Sequence, residues 1–385
     1  MIESAGGAPV TTRRNTLAPV KKMTSKISVK VGRVTIGGGA PISIQSMCNA
    51  DPSNSDAVAA QVIELADAGC DIVRVAVPTM DHVGPTREVR RLTRGVPLVA
   101  DVHFDHRVAI ALCGCVDKIR LNPGTMEHPG VMHEVARALI DTGTPVRIGM
   151  NSGSLPRGSE DIDKAVALVD GAARWIDGLR DLGVTDIVVS VKSSSPATTI
   201  RAYELASSRF DLPLHVGVTE SGTATSGAIR SATVLGSLLG RGIGDTIRVS
   251  LAGPPIPEVR AAAEILSSLG LRAPGMQIRA CPGCGRARMD TGSVATRIEA
   301  ALNGCDRAGM ILAVMGCEVN GPGEARDATL AIVGTARGAA VYEHGHLVST
   351  GAIDDAMDVV IEKVLATPAN EPDSDLTWGT PDSSE

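Results

Sequence analysis

The chain has 385 residues, too many for one core of ordinary size and enough for a large domain followed by a smaller one. Its 43% hydrophobic and 21% charged residues suit a globular protein, but aromatics are only 2%, so stacking platforms for nucleic-acid bases are nearly absent. The formal net charge of −6 argues against nucleic acid or an anionic membrane surface as partner.

The first 25 residues include Glu3, lack an apolar signal core and read as a flexible lead-in. No run of about 18 apolar residues follows that would span a bilayer, so the sequence predicts a cytoplasmic protein. From residue 41 a β-branched run, a polar loop and a helical stretch recur. The strand candidates are 41–47, 71–77, 97–104, 118–124, 145–151, 186–193, 213–221 and 245–253, with helical spacing over segments such as 57–68, 131–140 and 228–239. Eight alternations predict an α/β chain with a (β/α)8 TIM-type barrel over 26–272. A doubly wound open sheet is the rival, but Gly37-Gly38-Gly39 precedes the first strand, where a dinucleotide fingerprint would follow it. After Pro274 cysteines, glycines and short strands dominate. Helices are expected near 291–302 and 353–366, giving a smaller α+β domain over 275–366. The tail, 367–385, is rich in Pro, Ser, Asp and Glu and is expected to be disordered.

In such barrels chemistry sits where strands give way to loops. Those places hold Arg74, Asp101, His103, Arg120, Asn122, Arg147, Asn151, Lys192, Thr219, Glu220, Arg248 and Ser250. Four arginines and a lysine fall within apolar strand runs on five different strands. An unpaired charge is costly there, and arginine forks match phosphate oxygens, so a diphosphate or similar anion is the simplest ligand. The competing reading pairs each arginine with a local carboxylate, Asp101 and Glu220 being the obvious ones. Glu220 and His103 are candidate proton donors, or else orient the arginines.

Eight cysteines in a chain of this kind read as buried thiols or metal ligands rather than disulfides. The sharpest motif is Cys281-Pro-Gly-Cys284, followed by Met315-Gly-Cys317 and Asn320-Gly-Pro-Gly-Glu324. Thiolates so spaced select zinc or an iron–sulfur cluster. Cys305 and Glu324 compete for a fourth ligand position. Cys305 suits a closed structural zinc site, and Glu324, a harder and displaceable ligand, suits a catalytic cluster. Cys70, Cys113 and Cys115 sit in apolar stretches and read as core thiols.

Segments from Val31 to Ala366 resemble one family closely, that of 4-hydroxy-3-methylbut-2-enyl diphosphate synthase, also called IspG or GcpE. They include APISIQSM, DIVRVAVP, VADVHFDHR, RLNPG, RIGMNSGSL, HVGVTESG, GIGDTIRVSL, ACPGCGR and VMGCEVNGPGEA. The resemblance implies reductive opening and dehydroxylation of 2-C-methyl-D-erythritol 2,4-cyclodiphosphate in the non-mevalonate isoprenoid pathway. It implies a 4Fe–4S cluster on Cys281, Cys284, Cys317 and Glu324, with flavodoxin or ferredoxin as electron donor. It also implies a homodimer in which one subunit's cluster domain closes over the other's barrel. Arg74, Arg120, Arg147, Lys192, Arg248 and Ser250 match positions holding the diphosphate. His103, Asn122, Asn151, Thr219, Glu220 and Asn320 match polar residues around the substrate, with Glu220, His103 and Glu324 in catalytic roles. The chain departs from the family at Cys48–Asn54, where threonines and an acid are replaced, at Glu318, and at Gly334–Gly338. Two alternatives follow: a paralogue acting on a different diphosphate, and a non-redox phosphosugar-binding barrel with a structural zinc domain.

Overall fold

The structure is a computed structural model describing residues 25–126, 130–155, 163–302, 305, 307–319 and 321–368. The lead-in up to residue 24, most of the tail and Asn320 lie outside the described residues. The chain divides into two compact units, Met1–Ile265 and Leu266–Glu385.

The first unit opens with a feature the sequence reading did not foresee, an antiparallel hairpin of β1 (Ser28–Val31) and β2 (Val34–Gly37). Alternation puts Val29 and Val31 on one face, and with Ile36 they pack on Ile72, Val99 and Val188. Those three residues stand at or next to the first position of their strands, so the hairpin covers the end of the barrel where strands begin.

The barrel follows as predicted. Its strands are β3 (Ser43–Met47), β4 (Ile72–Ala76), β5 (Leu98–Val102), β6 (Lys118–Leu121), β7 (Val146–Asn151), β8 (Ile187–Lys192), β9 (His215–Val216) and β10 (Thr246–Ile247). They form one parallel sheet in the order β8-β7-β6-β5-β4-β3-β10-β9. The bridge between Val189 and Leu214 joins β8 to the β9 segment and closes the ring. The last two strands are far shorter than the runs 213–221 and 245–253. Gly217 explains part of this: a Cβ there would stand 2.5 Å from the Arg248 carbonyl, so the two backbones approach too closely for regular pairing to continue.

Helices α1 (Ser55–Asp67), α2 (Val83–Leu92), α3 (His106–Leu112), α4 (Val131–Thr142), α5 (Lys164–Asp181), α6 (Pro196–Arg209), α7 (Ala224–Leu239) and α8 (Ile256–Ser268) alternate with the strands. Local chemistry sets their starts. Asn54, Asp105, Asp163 and Ser195 each accept a backbone N–H bond from the first turn, and Pro196 follows Ser195. No described helix is long and apolar enough to cross a membrane.

The second unit carries a five-stranded sheet of β11 (Gln277–Ala280), β12 (Ile311–Met315), β13 (Leu330–Thr335), β14 (Gly338–Glu343) and β15 (His346–Gly351), in that order. The first three strands are parallel and the last two antiparallel. Helices α9 (Thr291–Ala301) and α11 (Ile353–Ala366) pack Val294, Ile298, Met357 and Val360 against Leu312, Val314 and Ile332. The short α10 (Gly321–Ala325) follows β12.

Candidate functional site

Side chains alternate along a strand, so a few contacts assign the inner face of the barrel. A Cβ on Gly149 would meet Arg120 Nε and Ser190 Oγ, and one on Gly217 would stand 2.9 Å from Lys192 Nζ. Residues two positions away on the same strands share that face. The interior therefore receives Lys118 and Arg120, Arg147 and Asn151, Ser190 and Lys192, and His215.

Asp101 organises the mouth. Its carboxylate accepts from Arg120 at 2.9 Å and lies 3.9 Å from Arg74. Arg120 also bonds His103 Nε2 and donates to the Gly149 carbonyl at 3.2 Å. Burial works to raise the Asp101 pKa, but Arg74 and Arg120, with His103, overcome it and hold the carboxyl well below its ordinary value. Arg74 donates to Met47 Sδ at 3.1 and 2.8 Å. Burial, aided by Arg248 and Arg120, lowers its own pKa to about 10, with Asp101 opposing.

Arg248 is paired differently from expectation. Its guanidinium meets Glu258 of α8 at 3.2 Å, and Glu258 also accepts from Ser46 Oγ and the Leu251 amide. Sequence reading missed Glu258 because it sits in an ordinary helical first turn. Glu220, expected as a partner for arginine, is exposed, and its φ of 53° places it in the left-handed region. Local pairing thus accounts for Arg74, Arg120 and Arg248. It does not account for Arg147 or Lys192, which have no carboxylate within ion-pair distance among the described residues. Arg147 is 1% exposed and, among the described residues, its side chain bonds only Ser190 Oγ, at 3.4 Å. Burial first, then neighbouring cations, depresses the pKa of both Arg147 and Lys192.

The remaining polar positions lie where these strands end. Asn122 is buried and accepts from Ser154 Oγ at 3.1 Å. Asn151 and Ser250 are half-buried, and the Ser250 carbonyl accepts from Ser221 Oγ. The Thr219 amide bonds the Ser193 carbonyl at 3.4 Å.

In the second unit Cys281 directly follows β11, and Cys317 lies two residues beyond β12, its parallel neighbour. Their loops meet. The Gly316 amide donates to Cys281 Sγ at 3.3 Å, the Arg288 amide donates to the Gly316 carbonyl, and Thr291 Oγ1 donates to the Cys281 carbonyl. A Cβ on Gly316 would stand 3.2 Å from both Ala287 Cβ and Thr291 Cγ2, so glycine favours the close packing of these loops. Cys284 is exposed beyond the Gly283 turn, at φ 76°. Glu324 lies exposed on α10, whose start is tied back by a bond from the Gly321 amide to the Cys317 carbonyl. Cys305 instead packs on the apolar cluster around Ile298 and Leu312, whereas Cys281 packs on Ala313 and Val333. Among the described residues no three His, Cys, Asp or Glu side chains are gathered at metal-holding distances. The donor chemistry still suits a thiophilic centre: two thiol-bearing loops at the ends of adjacent strands, with an amide already directed at one sulfur.

A family model described as the GcpE TIM-barrel domain matches residues 26–263, and one described as the GcpE protein C-terminal domain matches 277–366. The 4-hydroxy-3-methylbut-2-en-1-yl diphosphate synthase (flavodoxin) of Symbiobacterium thermophilum is 45% identical over 88% of this chain and 92% of its own length. Its namesake in Geobacter sulfurreducens is 43% identical over 88% of this chain and 97% of its own length. That of Mycobacterium bovis is 41% identical over 94% and 93%. Both family models and near full-length relatives agree: this chain belongs to the GcpE family.

Proposed function

We propose that the chain makes 4-hydroxy-3-methylbut-2-en-1-yl diphosphate by reductive ring opening and dehydroxylation of 2-C-methyl-D-erythritol 2,4-cyclodiphosphate, a step of isoprenoid precursor synthesis. Identity of 45% and 43% over 88% of this chain to synthases of that name supports this reading over a paralogue with another substrate or a zinc-stabilised binding barrel. The observation that carries it is the set of buried cations at the barrel mouth. Arg147 and Lys192 have no carboxylate partner among the described residues, and a substrate diphosphate supplies the missing charge.

In this reading residues 26–272 bind the substrate and 275–366 hold the cluster. Arg74, Arg120, Arg147, Lys192, Arg248 and Ser250 take the diphosphate. Asp101 and Glu258 fix the directions of three arginines before substrate arrives, which lowers the cost of ordering them. Asn122, Asn151 and Thr219 bond the carbon skeleton's hydroxyls. As the ring C–O bond breaks, its electron pair passes to the leaving phosphate oxygen, and the arginines neutralise that charge. The hydroxyl departs as water after protonation, with Glu220 the proposed donor and His103 holding Arg120. Cys281, Cys284, Cys317 and Glu324 are the residues that would hold a 4Fe–4S cluster, whose chemistry is to supply two electrons singly. Flavodoxin, named for the relatives, is the proposed donor, with ferredoxin the alternative. A cytoplasmic homodimer completes the reading.

Protein purified without oxygen and assayed with the cyclic diphosphate and reduced flavodoxin tests it. Brown protein with about four irons per chain and linear product is expected. Colourless protein carrying one zinc, or an intact cluster without product, overturns it.

A further inference from the structure

Below the mouth cations lies a second tier of polar side chains whose atoms find no partner among the described residues. Lys118 and His215 are both 0% exposed, and neither Lys118 Nζ nor either ring nitrogen of His215 makes a hydrogen bond. Gln45 is 1% exposed with both amide atoms unpartnered, and Arg147 leaves Nε and one terminal nitrogen unpartnered. Lys118 shares the inner face of β6 with Arg120, and His215 shares that of β9 with Gly217, over which the Lys192 amine sits. Thr246 pairs in register with His215 on one side and Ser43 on the other, and the hydroxyls of Thr246 and Ser43 are unpartnered too. Such a concentration of orphaned buried groups is rare in native interiors and concentrates at functional sites.

The charges facing this tier are almost all positive. Lys118 is faced by Arg147 and Arg74, and His215 by Lys192, Arg147, Lys118 and Arg74. The mouth above adds Arg120, His103 and Arg248, with two carboxylates, Asp101 and Glu258, both already engaged by arginines. An ammonium here is sealed from bulk solvent, and among the described residues no carboxylate lies within ion-pair distance of it.

We propose that Lys118 is a positioning residue of the diphosphate site that stays uncharged in the ligand-free barrel and takes up a proton when the anion binds above it. This rests on the reading of the mouth as a diphosphate site. Burial, reinforced by Arg147 and Arg74, holds the Lys118 pKa well below its ordinary value, as the geometry requires. An arriving dianion offsets the excess positive charge and restores the ammonium. Two electrons and one proton then turn the cyclic dianion into a linear trianion and water. The charged Lys118 therefore favours the product side of ring opening as well as binding.

The test is calorimetric titration of the oxidised full-length holoenzyme with the cyclic diphosphate, without reductant, at pH 8.5. Two buffers of different ionisation enthalpy are used. Each phosphorus of this ligand bears one strongly acidic oxygen, so protons taken up are bound by the protein. At this pH ordinary histidines are neutral before binding. Wild type is expected to take up at least about one proton per chain, and Lys118→Met about one fewer, with Lys192 accounting for any remainder. Lys118→Met should also raise KM about tenfold with a smaller change in kcat, and melt no lower than wild type, since an orphaned amine is replaced by an apolar chain. Lys118→Gln is the second variant if Lys118→Met does not fold. Binding to wild type without proton uptake, or undiminished uptake in both variants, overturns the inference. No binding to wild type at all overturns the diphosphate reading instead.

Discussion

Gly149 lies beneath the guanidinium of Arg120: a Cβ on that glycine would stand 2.9 Å from Arg120 Nε and 3.0 Å from Ser190 Oγ. Only hydrogen leaves room for the arginine to cross β7 while holding Asp101 and the Gly149 carbonyl.

Gly149→Ala should therefore act as an arginine mutation without touching an arginine. If Arg120 takes the diphosphate as proposed, its displacement breaks that register, and misplacement of about 1 Å can cost up to about 100-fold in turnover. Steady-state kinetics should show KM rising and kcat/KM falling by about 10- to 100-fold. Circular dichroism should remain that of the folded barrel. Unchanged kinetics would remove Arg120 from the binding set.

Glu258→Ala should strand Arg248. Glu258 is 4% exposed and serves Arg248, Ser46 and the Leu251 amide together. Removing one partner of a buried pair costs about 3–5 kcal/mol, which urea denaturation would read directly. Adding the diphosphate substrate should recover part of that loss, because the ligand replaces the missing negative charge.

Much of this was legible beforehand, for reasons particular residues make plain. Runs such as DIVRVAV and VRIGMN announce strands because β-branched residues alternate around one charge, and the charge marks the inner face. The hairpin Ser28–Gly37 was missed because its two short strands lie in a stretch read as approach to the barrel. The alternation of Val29, Val31 and Ile36 was the signal available. Glu258 was missed because long-range pairing has no local signature. The run KIRL marks Lys118 only as the start of a strand, since nothing in it distinguishes a buried amine from an exposed one. Cys305 and Glu324 could not be ranked as ligands by spacing. In the structure Cys305 packs on the apolar core of its unit, while Glu324 stays exposed near the Cys317 loop.

That difference can be checked with two variants of the second unit. Cys305→Ala should leave iron content and turnover as in wild type, with at most about 1 kcal/mol lost from a partly buried site. Glu324→Ala should lower turnover at least about 100-fold, and Cys317→Ala should abolish iron retention. Iron analysis beside activity separates the two effects. Loss of iron in Cys305→Ala would reassign the fourth ligand.

Stability should depend on pH through the barrel interior. Burial first, then Lys192 and Arg147, holds the His215 pKa well below its ordinary value. The unfolded chain gains a proton below about pH 6.5 that the folded chain refuses, so stability falls as pH drops through that value. Lys118 acts in the same sense at higher pH. Its folded pKa is also depressed, so stability keeps rising toward about 10.4, where the unfolded amine deprotonates. Denaturation curves from pH 5 to 9 should show this slope, with His215→Asn flattening the acid limb and Lys118→Met the alkaline one. Asp101, whose pKa is depressed, contributes throughout this range and is lost only in stronger acid.

The hairpin at the foot of the barrel adds an apolar seal beneath an interior already filled by side chains. With Val29, Val31 and Ile36 stoppering the lower rim, whatever enters from the loop side must back out the same way. Spent product therefore stands in the path of the next substrate molecule. Its inhibition should be competitive, and the rate of emptying sets a ceiling on turnover however fast electrons arrive.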